Sequence, residues 1–178
     1  MATTRQATHP AKDEVSQRCF IALGANLGDP VVTVKAAILA LRGLPQTEFI
    51  AASSLYHTAP VGLKHQPDFI NAVVELVAVA SATALMESLF SIEGRFGRLR
   101  SVKNAPRTLD LDLLLYGDLR SDDPQLTLPH PRLHERAFVL APLAEIAPQL
   151  SIPGCGRVGD LLLRCAGQQI EKMPLQPA

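Results

Sequence analysis

PRTLDLDLLLY, residues 106–116, is the stretch on which the fold turns. Thr108 to Tyr116 reads as a strand, and from Thr108 to Leu113 polar and apolar side chains alternate, which is the two-residue period of a half-buried strand. Leu109, Leu111 and Leu113 take one face and belong to a core. Asp110 and Asp112 take the other, with Cα atoms about 6.5–7 Å apart. Alternation alone is what any half-buried strand shows, and a solvated acidic face is the plain alternative.

Working outward, residues 18–24 (RCFIALG) read as a buried first strand. Asp29-Pro30 then starts a helix, with Asp as N-cap and Pro at the first helical position, and Gly43 closes it. Thr47 to Tyr56 is a second strand. Residues 57–68 (HTAPVGLKHQPD) form a loop long enough to carry function. Phe69 to Val79 is a third strand. A helix capped by Thr83 runs through Ile92, and the loop 94–106 leads back to Thr108. Residues 117–132 are proline-rich and read as irregular. Glu135–Ile146 and Val158–Ala166 are the last helices. Strand, helix, strand, strand, helix, strand is the order of a ferredoxin-like α+β domain, a mainly antiparallel sheet with helices packed on one face. The expected organisation is a flexible N-terminal tail (1–17), a single domain (18–166) and a C-terminal tail (167–178).

Composition bounds the function. The chain has 178 residues, 47% hydrophobic, so it suits one domain with a sizeable core. Its 17 basic and 17 acidic residues cancel, so net charge does not indicate a nucleic-acid partner. No stretch approaches the roughly 20 apolar residues of a membrane span, and the N-terminus lacks the apolar core of a secretory signal. Cys19, Cys155 and Cys165 have no disulfide or metal-ligand spacing and read as reduced thiols. A cytoplasmic location is expected.

Charge is local instead. Arg95, Arg98, Arg100, Lys103 and Arg107 crowd the loop before the aspartates, with Glu93 at its start. Guanidiniums suit phosphate oxygens, and a carboxylate pair suits Mg²⁺, which keeps waters for phosphates to replace. Together they point to a polyphosphate bound between metal and arginines. His130 and Arg136 belong to a second cationic segment, LPHPRLHER (128–136). Asn71 has the donor and acceptor to read a heterocycle edge. A lone surface histidine, a loop-to-strand asparagine, and Phe69 and Phe138 as core aromatics are the plain readings of these residues taken singly.

The motifs resemble one family. IALGANLGDP (21–30), SSLYHTAPVG and QPDFINAVVEL (within 53–76), IEGRFGRLR (92–100), APRTLDLDLLLYGD (105–118) and LTLPHPRLHERAFVLAPLAEIAP (126–148) are similar, in this order, to 6-hydroxymethyl-7,8-dihydropterin pyrophosphokinases of folate biosynthesis. The resemblance implies transfer of pyrophosphate from MgATP to the hydroxymethyl group of the pterin, giving AMP. It implies two Mg²⁺ on Asp110 and Asp112, with Arg98 and Arg100 on a catalytic loop that closes over the phosphates. For the pterin it implies a sandwich between Phe69 and Phe138, a hydrogen bond from Asn71, and backbone contacts at Thr58 and Val61. For ATP it implies Glu93, Arg98, Arg107, Thr127, His130 and Arg136, with Leu113 contacting adenine through its backbone. A monomer without nucleic-acid or membrane partners is expected. The sequence departs from some relatives at Lys103-Asn104-Ala105, where those carry Arg-Trp-Gly, and at Pro131, where they carry Tyr. A ferredoxin-like RNA- or regulatory-ligand-binding module is the competing reading, in which the basic loop binds without Mg²⁺. A member fused or complexed with neighbouring pathway enzymes is a third.

Overall fold

In the computed structural model, which describes residues 15–60, 65–97 and 108–174, strand β1 (Gln17–Ala25) is the centre of the molecule. It is apolar on both faces because both are covered. Cys19, Ile21, Leu23 and Ala25 enter one core, and Phe20 enters a second. β1 pairs antiparallel with β4 (Phe69–Ala78) on one side and with β5 (Asp110–Tyr116) on the other. Beyond β4 lie β2 (Thr47–Ala52) and β3 (Tyr56–Thr58), both antiparallel to it. Taking β2 and β3 as one interrupted strand, the order is that of the expected ferredoxin-like sheet.

The helices do not share one face. α1 (Pro30–Arg42) and α2 (Ala82–Arg95) bury Val34, Ala37, Leu41, Leu85, Leu89 and Ile92 in the first core. α3 (Ala137–Ile146) and α4 (Val158–Arg164) bury Val139, Leu140, Leu143, Val158 and Leu161 in the second. The expectation of one covered face therefore fails. A strand with Phe20 buried between Cys19 and Ile21 cannot leave either face to water.

Local chemistry explains the ends. Asp29 accepts a 3.0 Å hydrogen bond from the Val32 amide and caps α1 as expected. α2 is capped by Ser81, whose hydroxyl accepts from the Ala84 amide, so Thr83 lies inside the first turn instead. The expected strand 47–56 is broken at Ser53, whose hydroxyl accepts from the Val73 amide while its own amide donates to the Val73 carbonyl. Residues 117–132 are less irregular than their prolines suggest. They hold the hairpin of β6 (Ser121–Asp123) and β7 (Leu126–Leu128), followed by a cis Leu128–Pro129 bond. A 3₁₀ turn (Leu133–Glu135) and an extended Arg136 precede α3, which thus starts later than expected.

A small hairpin joins β8 (Ser151–Ile152) to β9 (Gly156–Arg157). The segment read as a C-terminal tail carries the edge of the main sheet: β10 (Ile170–Lys172) pairs antiparallel with β3. Among the described residues no helix is long and apolar enough to cross a membrane.

Candidate functional site

The register of the sheet assembles the site. Gly24 on β1 is paired with Asn71 on β4 and with Asp110 on β5, and Ala22 is paired with Val73 and Asp112. Paired residues share a face, so Asn71 and Asp110 stand in one row, separated by two strand spacings, about 9.5 Å. This is the face of the second core, the side of α3. Gly24 puts only a hydrogen between them, and Ala22 puts a methyl group between Val73 and Asp112. A Cβ on Gly24 would sit 3.3 Å from Asn71 Oδ1, so glycine lets the amide lie over the central strand. Small residues on a central strand between polar neighbours leave a floor open to a flat ligand.

Asn71 is 5% exposed and donates through Nδ2 to the Thr58 hydroxyl at 2.8 Å. Thr58 is itself paired with Phe69 at the same end of the sheet. Asn26, buried just beyond β1, donates through Nδ2 to Gln66 Oε1 and to the Pro67 carbonyl, both at 3.0 Å. It thereby ties down the chain immediately before Phe69. Phe138 lies in the first turn of α3, half-buried against the second core, with the Arg136 guanidinium 5.6 Å from its ring centre. Of the pterin candidates, Thr58 and Phe69 are paired between β3 and β4, Asn71 follows on β4, and Phe138 comes from α3, which packs on both strands. Val61 lies outside the described residues.

On the aspartate side, His130 approaches β5. Its Nε2 is 3.8 Å from Asp112 Oδ2, and its amide donates to the Leu114 carbonyl at 2.9 Å. Burial, then the nearby Arg136, push the imidazole down to about 4 against the opposing pull of Asp110, with Arg132 a lesser downward influence. At neutral pH His130 is neutral, able to donate at one nitrogen and accept at the other.

Asp110 and Asp112 are both half-buried, on adjacent outward positions of one strand. That donor set fits Mg²⁺: two hard oxygen ligands on a rigid element, with a side open to phosphate and water.

Other candidates take different positions. Glu93, 3% exposed, lies in the α2 layer and accepts from the Leu111 amide at 2.7 Å, covering the outer edge of β5. Two residues on, the Leu113 backbone faces the same outer edge, between the Glu93 and His130 contacts, while its side chain is in the first core. A backbone contact is therefore the role its position allows. Thr127 sits in the β6–β7 hairpin with its hydroxyl donating to the Asp123 carbonyl at 2.9 Å. Arg98, Arg100 and Arg107 lie outside the described residues, as do Lys103 and Asn104.

Sequence reasoning missed Gly24 and Asn26. The signal was present in IALGAN, a strand ending in small residues and a buried amide, but only the sheet register gives it meaning.

Known proteins resemble this chain in sequence and in fold. A family model described as 7,8-dihydro-6-hydroxymethylpterin-pyrophosphokinase matches residues 20–148. The chain is 42% identical over 158 residues to the 2-amino-4-hydroxy-6-hydroxymethyldihydropteridine pyrophosphokinase of Pseudomonas aeruginosa, covering 89% of this chain and 98% of that one. The protein of the same name from Haemophilus influenzae is 39% identical over 154 residues, covering 86% and 96%. Among solved structures, the wild-type HPPK-DHPS of Plasmodium falciparum with pterin and p-hydroxybenzoate superposes with a TM-score of 0.66 at 16% identity. That match spans 86% of this chain and 44% of the Plasmodium chain, and it supports the fold.

Proposed function

The chain belongs to the 7,8-dihydro-6-hydroxymethylpterin-pyrophosphokinase family, and from that premise we propose how its own residues divide the reaction. The enzyme transfers pyrophosphate from ATP to the hydroxymethyl group of 6-hydroxymethyl-7,8-dihydropterin in folate biosynthesis. The hydroxymethyl oxygen gives up its proton to solvent and bonds to the β-phosphorus, the bond between that phosphorus and the oxygen bridging to the α-phosphorus breaks, and AMP leaves with that oxygen.

The observation that carries the division of roles is the row Asn71–Gly24–Asp110 on one sheet face, with Asp112 and His130 beside it. It supports a division between an amide able to read a heterocycle and carboxylates able to hold a metal. On this reading Asn71, oriented by Thr58, hydrogen-bonds the pterin edge, and Phe69 and Phe138 stack on its two faces. Val61 and the Thr58 backbone complete that side. Asp110 and Asp112 would hold two Mg²⁺, and these would supply charge neutralisation for the phosphates. His130, Arg136, Thr127, Arg107 and Glu93 position ATP, and the Leu113 backbone meets adenine. Arg98 and Arg100 close over the phosphates during transfer. Positioning and charge neutralisation supply most of the rate, as the loose transition state of phosphoryl chemistry requires. We place the enzyme in the cytoplasm, acting as a monomer through a single domain.

The test is AMP formation from ATP and the pterin. Asp110→Ala and Asp112→Ala each lower turnover by about a hundredfold or more while thermal unfolding stays close to the parent protein. Turnover that survives both substitutions would overturn the metal assignment. Calorimetry with a non-hydrolysable ATP analogue, with and without Mg²⁺, checks the donor side. Binding without Mg²⁺ that falls steeply with salt favours the alternative of a metal-independent anion-binding module.

A further inference from the structure

α3 begins without a cap of its own. Arg136 occupies the N-cap position in extended conformation, and its side chain makes no capping hydrogen bond. The first amides of a helix need acceptors, and an arginine has none to offer. The acceptor comes from far along the chain. Gln168 Oε1 accepts from the Ala137 amide at 2.9 Å, and Gln168 Nε2 donates to the Glu135 carbonyl at 2.7 Å. One side-chain amide therefore grips the backbone on both sides of Arg136. Arg136 in turn stacks toward Phe138 in the following turn.

Gln168 is itself held. Its amide donates to the Cys165 carbonyl at the end of α4. Two residues later β10 begins, pairing Ile170 with Thr58 and Lys172 with Tyr56. The Met173 amide donates to the Leu55 carbonyl, and Lys172 Nζ lies 3.2 Å from Glu145 near the end of α3. The segment 168–173 thus touches the start of α3, its end, and the strand that carries Thr58.

We propose that Gln168 is a positioning residue for both substrates: by fixing the backbone at 135–137 it sets where Arg136 and Phe138 stand over the sheet. The inference rests on the assignment of Arg136 to ATP and Phe138 to the pterin. Gln168 touches neither ligand in this scheme and acts through the two residues it brackets. A flexible helix start would leave an arginine and an aromatic to be ordered at the moment of binding, which weakens both interactions.

Full-length Gln168→Ala is titrated by calorimetry with 6-hydroxymethylpterin and with a non-hydrolysable ATP analogue plus Mg²⁺. Both dissociation constants are expected to rise by about three- to tenfold, the scale of one or two lost hydrogen bonds. Gln168→Glu, which keeps the acceptor for Ala137 and loses the donor to Glu135, falls between; it also carries the test if the alanine variant does not fold. The double variant with Phe138→Ala binds the pterin no more weakly than Phe138→Ala alone, because Gln168 acts through that ring. Unchanged dissociation constants with only a lowered melting temperature would make Gln168 purely structural and overturn the proposal. So would an additive double variant. If the parent protein binds neither ligand, the assignment of function falls as well, and the proposal with it.

Discussion

Gly24 is the residue whose role is least visible by itself and sharpest in context. The strand conformation does not demand glycine there, but the Asn71 amide does, since a β-carbon would meet Oδ1 at 3.3 Å. Gly24→Ala forces that amide to shift by a few tenths of an ångström, and Asn71 is already held on its far side by Thr58. The expected outcome is a rise of about tenfold in the KM for the pterin with the KM for ATP nearly unchanged. Steady-state kinetics with each substrate varied checks it; equal effects on both would show that the glycine serves the strand rather than the amide. Asp110 and Asp112 were legible at this scale because a strand's alternation is a local property. Asn26 and Gln168 were not, because their partners lie 40, 41, 31 and 33 residues away.

Among elements, β5 was the best read and also the most incompletely read. The alternation Leu109–Asp110–Leu111–Asp112–Leu113 holds, but the pairing with β1 slips between Phe20 and Ile21. Leu113 therefore faces the first core and Leu115 the second. Such a bulge is a property of two strands together, so one strand's sequence does not announce it. The polar stripe ends after Asp112 because position 114 is a leucine, and the slip adds Leu115 to the same core as Leu114. Helix starts were legible where the capping side chain lies next to the helix, as with Asp29, and misplaced where two hydroxyl residues compete, as with Ser81 and Thr83. Asp29→Ala and Ser81→Ala should each cost about 1 kcal/mol in denaturant unfolding, whereas Thr83→Ala should cost only a few tenths. A larger loss at Thr83 than at Ser81 would contradict the observed cap. α3 is the extreme case, a helix whose N-terminal acceptor is supplied from beyond α4.

At the scale of the molecule, two cores share one sheet, and polar contacts fix the second layer to it. Glu145 on α3 accepts from the Tyr56 hydroxyl at 2.7 Å and from the Ser54 hydroxyl at 2.8 Å, with Lys172 3.2 Å away. Burial pushes the Glu145 carboxyl up, but the bonds from Tyr56 and Ser54, with Lys172, outweigh it and hold the group below the usual carboxylate range. The unfolded chain then takes up the proton more readily than the folded one. This contribution is complete above the ordinary carboxylate pKa and is lost as pH falls through the lowered folded value. Glu145→Gln should therefore destabilise the protein by about 1–2 kcal/mol at pH 7, and the gap to the parent should shrink on acidification. Urea unfolding across pH 3–7 measures it; a gap that widens toward acid would reverse the sign and refute the role.

What the sequence by itself determined is what depends on near neighbours: the order of strands and helices, the two aspartates on one strand face, the cap at Asp29, and the motifs that mark the pyrophosphokinase family. The tertiary structure alone decided that helices cover both faces of the sheet, that 168–173 builds the sheet edge and the start of α3, and that Asn71 and Asp110 stand across Gly24. The physical reason is the range of the interactions. Periodicity and capping act within a few residues, whereas register, bulges and long-range caps are settled only when distant segments bury surface against each other and must satisfy one another's backbone groups.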